Sequence, residues 1–131
     1  VAAAEGRPVH VAFDAGRGEV HAASVVPDAA SPTGWTTRDE SLAPFQAWVD
    51  ALPAGATVSG PALDLSAVAE SVARRGDLLP VEPARRRSTA LVAARLGERL
   101  AAAGACVDPF ALVPDYSRPS YVQENPPRPS R

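Results

Sequence analysis

The chain has 131 residues, 46% of them hydrophobic, and a formal net charge of −2. This is enough apolar material for the core of one domain, and the near-neutral charge argues against a basic surface for nucleic acid or an anionic membrane. The single cysteine, Cys106, excludes an internal disulfide and a cysteine-pair zinc site, so we expect a reducing, cytoplasmic setting. No apolar run approaches the ~20 residues that a membrane-spanning helix needs.

The first predicted elements are strands. Val9, Val11 and Phe13 alternate with polar or small residues, which is the period of a half-buried strand. The run from Glu19 to Val26 alternates in the same way, and the glycines between the two runs predict a β-hairpin with a turn of four to five residues. Residues 34–38, GWTTR, predict a third strand at a sheet edge.

Helices and short strands are expected to alternate after this hairpin. Ser41, Asp64 and Ser88 are the expected N-caps of three helices, which end before Pro53, at Gly76 and at Gly104 respectively. Short strands are expected at 56–60 and 78–81. A hairpin followed by alternating α and β elements predicts an α/β fold, with helices packed on a mixed sheet. Residues 122–131 are rich in proline and are expected to be a disordered tail.

The predicted hairpin turn carries two carboxylates and a guanidinium, on Asp14, Glu19 and Arg17. An acid/base pair needs environments that separate its two pKa values, usually through burial. A glycine-rich surface turn is solvated, so we favour a salt-bridged strand corner over a catalytic turn. The turn also lacks the Lys-Ser/Thr pair of a phosphate-binding loop.

The two histidines of the chain suggest an enzymatic alternative. His10 and His21 lie on the two predicted strands of the hairpin. As cross-strand neighbours, with Asp14 as a third ligand, they would bind a metal ion and make the protein a metal-dependent hydrolase. Exposed strand histidines are commoner than such sites, so our main expectation is no catalytic residue, no metal and no cofactor.

A basic run and the cysteine both lie near predicted helix ends. Arg85, Arg86 and Arg87 precede a predicted helix N-terminus, which attracts anions such as an RNA phosphate or an acidic partner surface. No aromatic residue is interleaved with them, so we favour a solvated loop. Cys106 follows a predicted helix C-terminus, where the helix dipole disfavours a thiolate, and we expect it to be a buried apolar residue.

Three segments occur in an order that resembles a known family. They are VHVAFDAGRGEVHAASV (9–25), ATVSGPAL (56–63) and STALVAARLGERLAAAGACVDPFALVPDYSRPS (88–120). They resemble a strand-turn-strand, a strand ending in glycine, and a last helix with its closing motif in the bacterial tRNA threonylcarbamoyladenosine biosynthesis protein TsaB (YeaZ) family. The matching residues are Asp14, Ala15, Glu19, Val20, Asp108, Pro109, Pro114, Tyr116 and Arg118.

The resemblance implies a fold and a domain organisation. Residues 1–121 would form the C-terminal-type lobe of a two-lobe protein, with the ribonuclease-H-like core of the actin/Hsp70-like ATPase fold. The family's N-terminal lobe has no counterpart in this chain, which also lacks methionine, so we expect the chain to start inside a longer product. Arg17 and Glu19 would brace the hairpin, and Tyr116 and Arg118 would pin the tail onto the lobe.

The resemblance also implies a function. The chain would belong to a non-catalytic subunit that supports the catalytic subunit TsaD, together with the ATPase TsaE, in the N6-threonylcarbamoyladenosine modification of tRNA. It would meet tRNA only indirectly, and a homodimer is a further candidate assembly. Members of the family have also been labelled M22 peptidases or glycoproteases, which corresponds to the metal-dependent alternative above.

Overall fold

A computed structural model describes residues 6–86 and 89–114 of the chain. The strands are β1 (Val9–Gly16), β2 (Glu19–Pro27), β3 (Trp35–Pro44), β4 (Thr57–Ser59) and β5 (Leu79–Pro80). The helices are α1 (Phe45–Ala51), α2 (Ser66–Arg75), α3 (Pro83–Arg86) and α4 (Ala90–Ala102), and a 3₁₀ turn covers Pro61–Asp64.

The five strands form one mixed sheet in the order β3-β2-β1-β4-β5. β1, β2 and β3 pair in antiparallel fashion, whereas β4 pairs in parallel with both β1 and β5. The connections through α1 and α2 are the helical crossovers that parallel pairing requires. The predicted α/β class, with a mixed sheet and helices, is therefore confirmed.

Strand register decides which face of the sheet is buried. Ala12 pairs with Ala22, and Asp14 pairs with Val20, so these residues share one face. Ala12, Val20 and Ala22 belong to the same buried cluster as Val49 of α1 and other residues of α1 and α2. This face therefore carries the core, which is built mainly from alanine, valine and leucine, in keeping with the low aromatic content.

The opposite face of the antiparallel part of the sheet is apolar but only half-buried. Val11 pairs with Ala23, and Phe13 pairs with His21, so all four side chains lie on this second face. Phe13 is 48% exposed. We call this surface the open sheet face; its apolar members are Val11, Phe13, Ala23, Val25 and Leu42.

The third strand and the first helix differ from the predictions. β3 continues to Pro44 and pairs Ser41 with Ala22 and Leu42 with His21, so Ser41 is a strand residue and not a helix cap. α1 begins only at Phe45. The apolar spacing after Ser41 fits a helix, but hydrogen bonding to β2 extends the strand through the first predicted turn. The hairpin is also tighter than predicted, because only Arg17 and Gly18 join β1 to β2.

The two remaining predicted N-caps are each shifted by one residue. Asp64 ends the 3₁₀ turn instead of capping α2, which follows Leu65 without a side-chain cap. Gly76 ends α2 in the left-handed conformation as predicted, with φ 68°. α4 is capped by Thr89, whose Oγ1 accepts a hydrogen bond from the Val92 N–H at 3.3 Å. The predicted tail at 122–131 lies outside the described residues.

Candidate functional site

Hydrogen bonds fix the conformation of the hairpin corner, the turn between β1 and β2. Arg17 and Gly18 both have positive φ, 56° and 75°, as a two-residue hairpin turn requires. Asp14 Oδ1 accepts a hydrogen bond from the Gly16 N–H at 2.8 Å, and the Gly18 carbonyl accepts one from the Phe45 N–H at 3.0 Å. The corner thus fixes the hairpin to the first residue of α1, which agrees with the interpretation of a strand corner.

A concavity of about 280 Å³ lies between this corner and the start of α2. Asp14 and Glu19 supply carboxylates to its lining, and Phe45 and Leu65 supply apolar surface. Carboxylates repel a phosphate, so this concavity suits a neutral or cationic group better.

The proposed two-histidine metal site is wrong. β1 and β2 pair His10 with Ser24 and His21 with Phe13, and the two histidines therefore lie on opposite faces of the sheet. Within residues 6–86 and 89–114, no group of three or more histidine, cysteine, aspartate or glutamate side chains could hold a metal ion. The strand register places the two histidines on opposite faces, and the amino-acid composition alone does not show that register.

A polar cluster that the sequence did not indicate surrounds His10. Its Nδ1 lies 3.1 Å from the Oγ of the buried Ser24. Burial lowers the pKa of His10 below its ordinary 6.5, and the negative charge of Asp39 partly opposes this effect. Asp39 sits at an irregularity of the β2–β3 pairing and has φ 54°. These three residues line a concavity of about 210 Å³.

The composition of this cluster, serine, histidine and aspartate, is that of a nucleophilic triad, but its geometry serves a different purpose. Ser24 is only 9% exposed, so an external carbonyl group has little access to its hydroxyl. The hydrogen bond to His10 satisfies two polar side chains in a partly buried environment. The cluster therefore stabilises the sheet, and protonation of His10 should weaken this stabilisation.

Of the basic run, the structure describes Arg85 and Arg86, and only Arg86 makes side-chain contacts that can be described. Arg85 and Arg86 lie inside α3, not in a loop before a helix. Arg86 Nε donates to the Val81 carbonyl at 2.6 Å, and Nη1 donates to the Leu63 carbonyl at 3.3 Å and lies 3.4 Å from Asp64 Oδ1. Arg86 thus joins α3 to the 3₁₀ turn, whereas Arg85 is exposed. Arg87 lies outside the described residues.

Arg75 makes a second internal anchor that the sequence did not indicate. Its guanidinium bonds both carboxylate oxygens of Asp77, at 2.9 and 2.7 Å. It also donates to the carbonyls of Val49 and Leu52 at 2.9 and 3.0 Å. The side-chain hydrogen bond from Arg75 lowers the pKa of Asp77. This arginine adds a donor at the C-terminal end of α1, where the helix runs out of N–H groups; the Val49 carbonyl also accepts from the Leu52 N–H at 3.3 Å.

The remaining predicted residues lie towards the C-terminus. Cys106 is exposed, so the prediction that it is buried is wrong. The reason is that α4, which precedes it, buries none of its own residues. Tyr116 and Arg118 lie outside the described residues, and their expected role in pinning the tail stays a prediction.

Comparison with known proteins adds no assignment. Neither the protein-family models nor the curated proteins contain a match to this chain. Across the part of the chain that the structure describes, no helix combines the length and the apolar character needed to cross a membrane.

Proposed function

We propose that the chain is an interaction lobe of a TsaB-like, non-catalytic subunit with a ribonuclease-H-like fold. The sheet order β3-β2-β1-β4-β5 carries this proposal. Three antiparallel strands come first, and two parallel strands then follow with helical crossovers, which is the arrangement of a ribonuclease-H-like lobe. An actin/Hsp70-like ATPase fold is built from two such lobes.

The positions of the matching motifs support the same proposal. Asp14 and Glu19 flank the hairpin corner, and Asp14 bonds the backbone of the turn. The strand of the second motif ends before Gly60, whose Cα lies so close to Ala12 of β1 that a side chain would overlap the backbone there. Residues of both motifs therefore make contacts that fix the position of β1. This agrees with a structural role for the motifs and not with a role in a chemical step.

The contacts of two arginine side chains favour a binding function over a catalytic one. Arg75 and Arg86 are bonded to carbonyl groups and carboxylates of the chain itself. The metal-dependent hydrolase loses its support, because His10 and His21 lie on opposite faces of the sheet. Exposed apolar surface is instead abundant, on the open sheet face and on α4, and large patches of this kind mark interaction surfaces.

In this proposal the partners are a TsaD-like catalytic subunit and a TsaE-like ATPase, with tRNA held by the partners. The net charge of −2 fits a subunit that does not itself bind the tRNA backbone. The setting is cytoplasmic, where tRNA modification takes place.

A deletion strain tests the proposal. The full-length product of the gene should restore N6-threonylcarbamoyladenosine in the tRNA of a strain that lacks its own TsaB, as measured by mass spectrometry of tRNA nucleosides. A Glu19→Gln variant should restore it as well, because no chemical step depends on that carboxylate. Normal modification in the deleted strain, or failure of the intact gene to restore it, would contradict the proposal.

A further inference from the structure

An apolar concavity of about 210 Å³ is lined by residues of α2, the 3₁₀ turn, β5 and α3, and we call it the α2 concavity. Its lining includes the buried side chains of Leu63, Val72 and Leu78. Ala69 and Ala73 also line it, and they are exposed and lie one helical turn apart on α2. Because alanine side chains are short, α2 leaves room there for an apolar group of limited size.

Arg86 brings a positive charge to this apolar lining. Its side chain is only 13% exposed. Nε donates to the Val81 carbonyl, and Nη1 donates to the Leu63 carbonyl and lies 3.4 Å from Asp64 Oδ1. Nη2 makes no hydrogen bond within the part of the chain that the structure describes. A largely buried cation thus retains a nitrogen that can donate two hydrogen bonds.

The charge of Arg86 is matched less completely than that of the chain's other buried-end arginine. Arg75 bonds both carboxylate oxygens of Asp77, at 2.9 and 2.7 Å. The contact between Arg86 and Asp64 is single and, at 3.4 Å, longer than the about 2.7–2.9 Å of a strong charged hydrogen bond. A cation removed from water is stabilised by an opposite charge and by full hydrogen bonding. Arg86 can therefore accept a second carboxylate.

We propose that the α2 concavity binds a small aliphatic monocarboxylate. Its apolar body packs against Leu63, Val72 and Leu78, and its carboxylate accepts hydrogen bonds from Nη2 of Arg86. Pockets for drug-sized ligands enclose about 300–1,000 Å³, so the smaller volume here selects a compact acid. This binding goes beyond the proposed TsaB-like role and does not depend on it.

Other anions suit the α2 concavity less well. A phosphate carries more acceptor oxygens and a higher charge, whereas Arg86 is the one donor side chain among the described residues of the lining. An amino acid would place its ammonium group near the guanidinium and among apolar side chains, which is unfavourable for both reasons. An acid without an amino group avoids these costs.

Amide chemical shifts of the isotope-labelled 131-residue chain, titrated with isocaproate, test this proposal. The amides of Ala73, Gly76 and Leu78 should shift and saturate at millimolar ligand, because a ligand of few atoms gains a limited binding free energy. Isocaproamide has the same apolar body without the charge and should bind at least about tenfold more weakly. Acetate has the charge without the body and should give no saturable shift.

A pair of variants locates the binding on α2. Ala73→Leu fills the concavity from an exposed helix position and should weaken isocaproate binding about tenfold or more. Ala67→Leu is the matched control, because Ala67 is exposed on the same helix but does not line this concavity. Both variants should stay folded, since leucine and alanine are both good helix formers. Arg86→Lys, which lacks Nη2, should also weaken binding, and Ala73→Leu decides the matter if that variant does not fold.

A further probe separates a free acid from the C-terminus of a peptide, which offers the same carboxylate. N-acetyl-leucine carries the apolar body, the carboxylate and a peptide-like amide, and it should bind more weakly than isocaproate because the apolar lining would leave that amide without a partner. Equal or tighter binding of N-acetyl-leucine would overturn the free acid as the ligand. Shifts that do not saturate with isocaproate, equal binding of isocaproamide, or undiminished binding by Ala73→Leu would overturn the site itself. None of these experiments contains a TsaD-like subunit, so failure here is distinct from failure of the proposed function.

Discussion

At the scale of single residues, Gly60 is the described glycine at which an added side chain would collide with the backbone of another strand. Its backbone has φ 106° and ψ 160°, a region that essentially only glycine occupies. A Cβ at this position would also overlap the backbone of Ala12 in β1. The residue thus allows β4 and the 3₁₀ turn to approach the central strand.

Replacing this glycine should be costly. Gly60→Ala should lower the free energy of unfolding by about 3 kcal/mol or more, since strain and overlap act together. Gly55→Ala is the matched control, because Gly55 also has positive φ, 72°, but open space around it. It should cost about 1 kcal/mol. Urea denaturation measures both, and equal losses would show that the overlap at Gly60 has no effect.

His10 should make stability depend on pH. Burial lowers its pKa in the folded state below the ordinary 6.5, so the unfolded chain binds more protons below that pH. The stabilising contribution is complete above about pH 6.5 and is lost as the pH falls towards the lowered pKa of the folded state. His10→Gln removes the titrating ring from this cluster.

Denaturation at about pH 7.5 and 5.5 tests this dependence. The wild type and a His21→Gln control, in which an exposed histidine is replaced, should lose more stability between the two values than His10→Gln does. An identical loss in all three proteins would mean that His10 does not carry the effect.

At the scale of elements, Arg86 holds α3 in place through two carbonyl groups and one carboxylate. Arg86→Ala should lower the free energy of unfolding by about 1–3 kcal/mol, because the carbonyls of Val81 and Leu63 lose their donor. Arg86→Lys should recover little of this, since an ammonium lacks the planar fork. Arg85→Ala is the control, and thermal unfolding should place it within about 0.5 kcal/mol of the wild type.

The strands were easier to predict than the caps. Val9, Val11 and Phe13 show period-two alternation in the sequence, and β1 lies where this pattern places it. Ser41 has the residue type and spacing of an N-cap, but pairing with Ala22 on β2 keeps it in β3. Helix and strand propensities of the local sequence do not include the hydrogen bonds between strands. The boundary between β3 and α1 depends on those bonds, so it could not be predicted from the local sequence.

The polar contacts were harder to predict, for a related reason. Ser24 and His10 are 14 positions apart and meet only because the hairpin register pairs them. The same register separates His21 from His10, which rules out the alternative two-histidine metal site. Arg75 reaches the carbonyls of α1 through packing of α2 against it. A sequence shows which side chains could react, whereas register and packing decide which of them meet.

At the scale of the whole molecule, two apolar surfaces remain open in the part of the chain that the structure describes. The core face carries α1 and α2, while the open sheet face and α4 provide surface for association. This distribution is typical of a subunit that works by contact. It agrees with a TsaB-like role in which the chemical step belongs to a partner.

The most direct test of this role is co-purification. The full-length product of the gene, co-expressed with the TsaD-like protein of the same organism, should elute with it as a stoichiometric complex in size-exclusion chromatography. An unrelated ATPase of the actin/Hsp70-like fold serves as the control and should elute separately. Separate elution of the TsaD-like protein as well, at micromolar concentrations of both proteins, would contradict the account of this chain as part of a partner subunit.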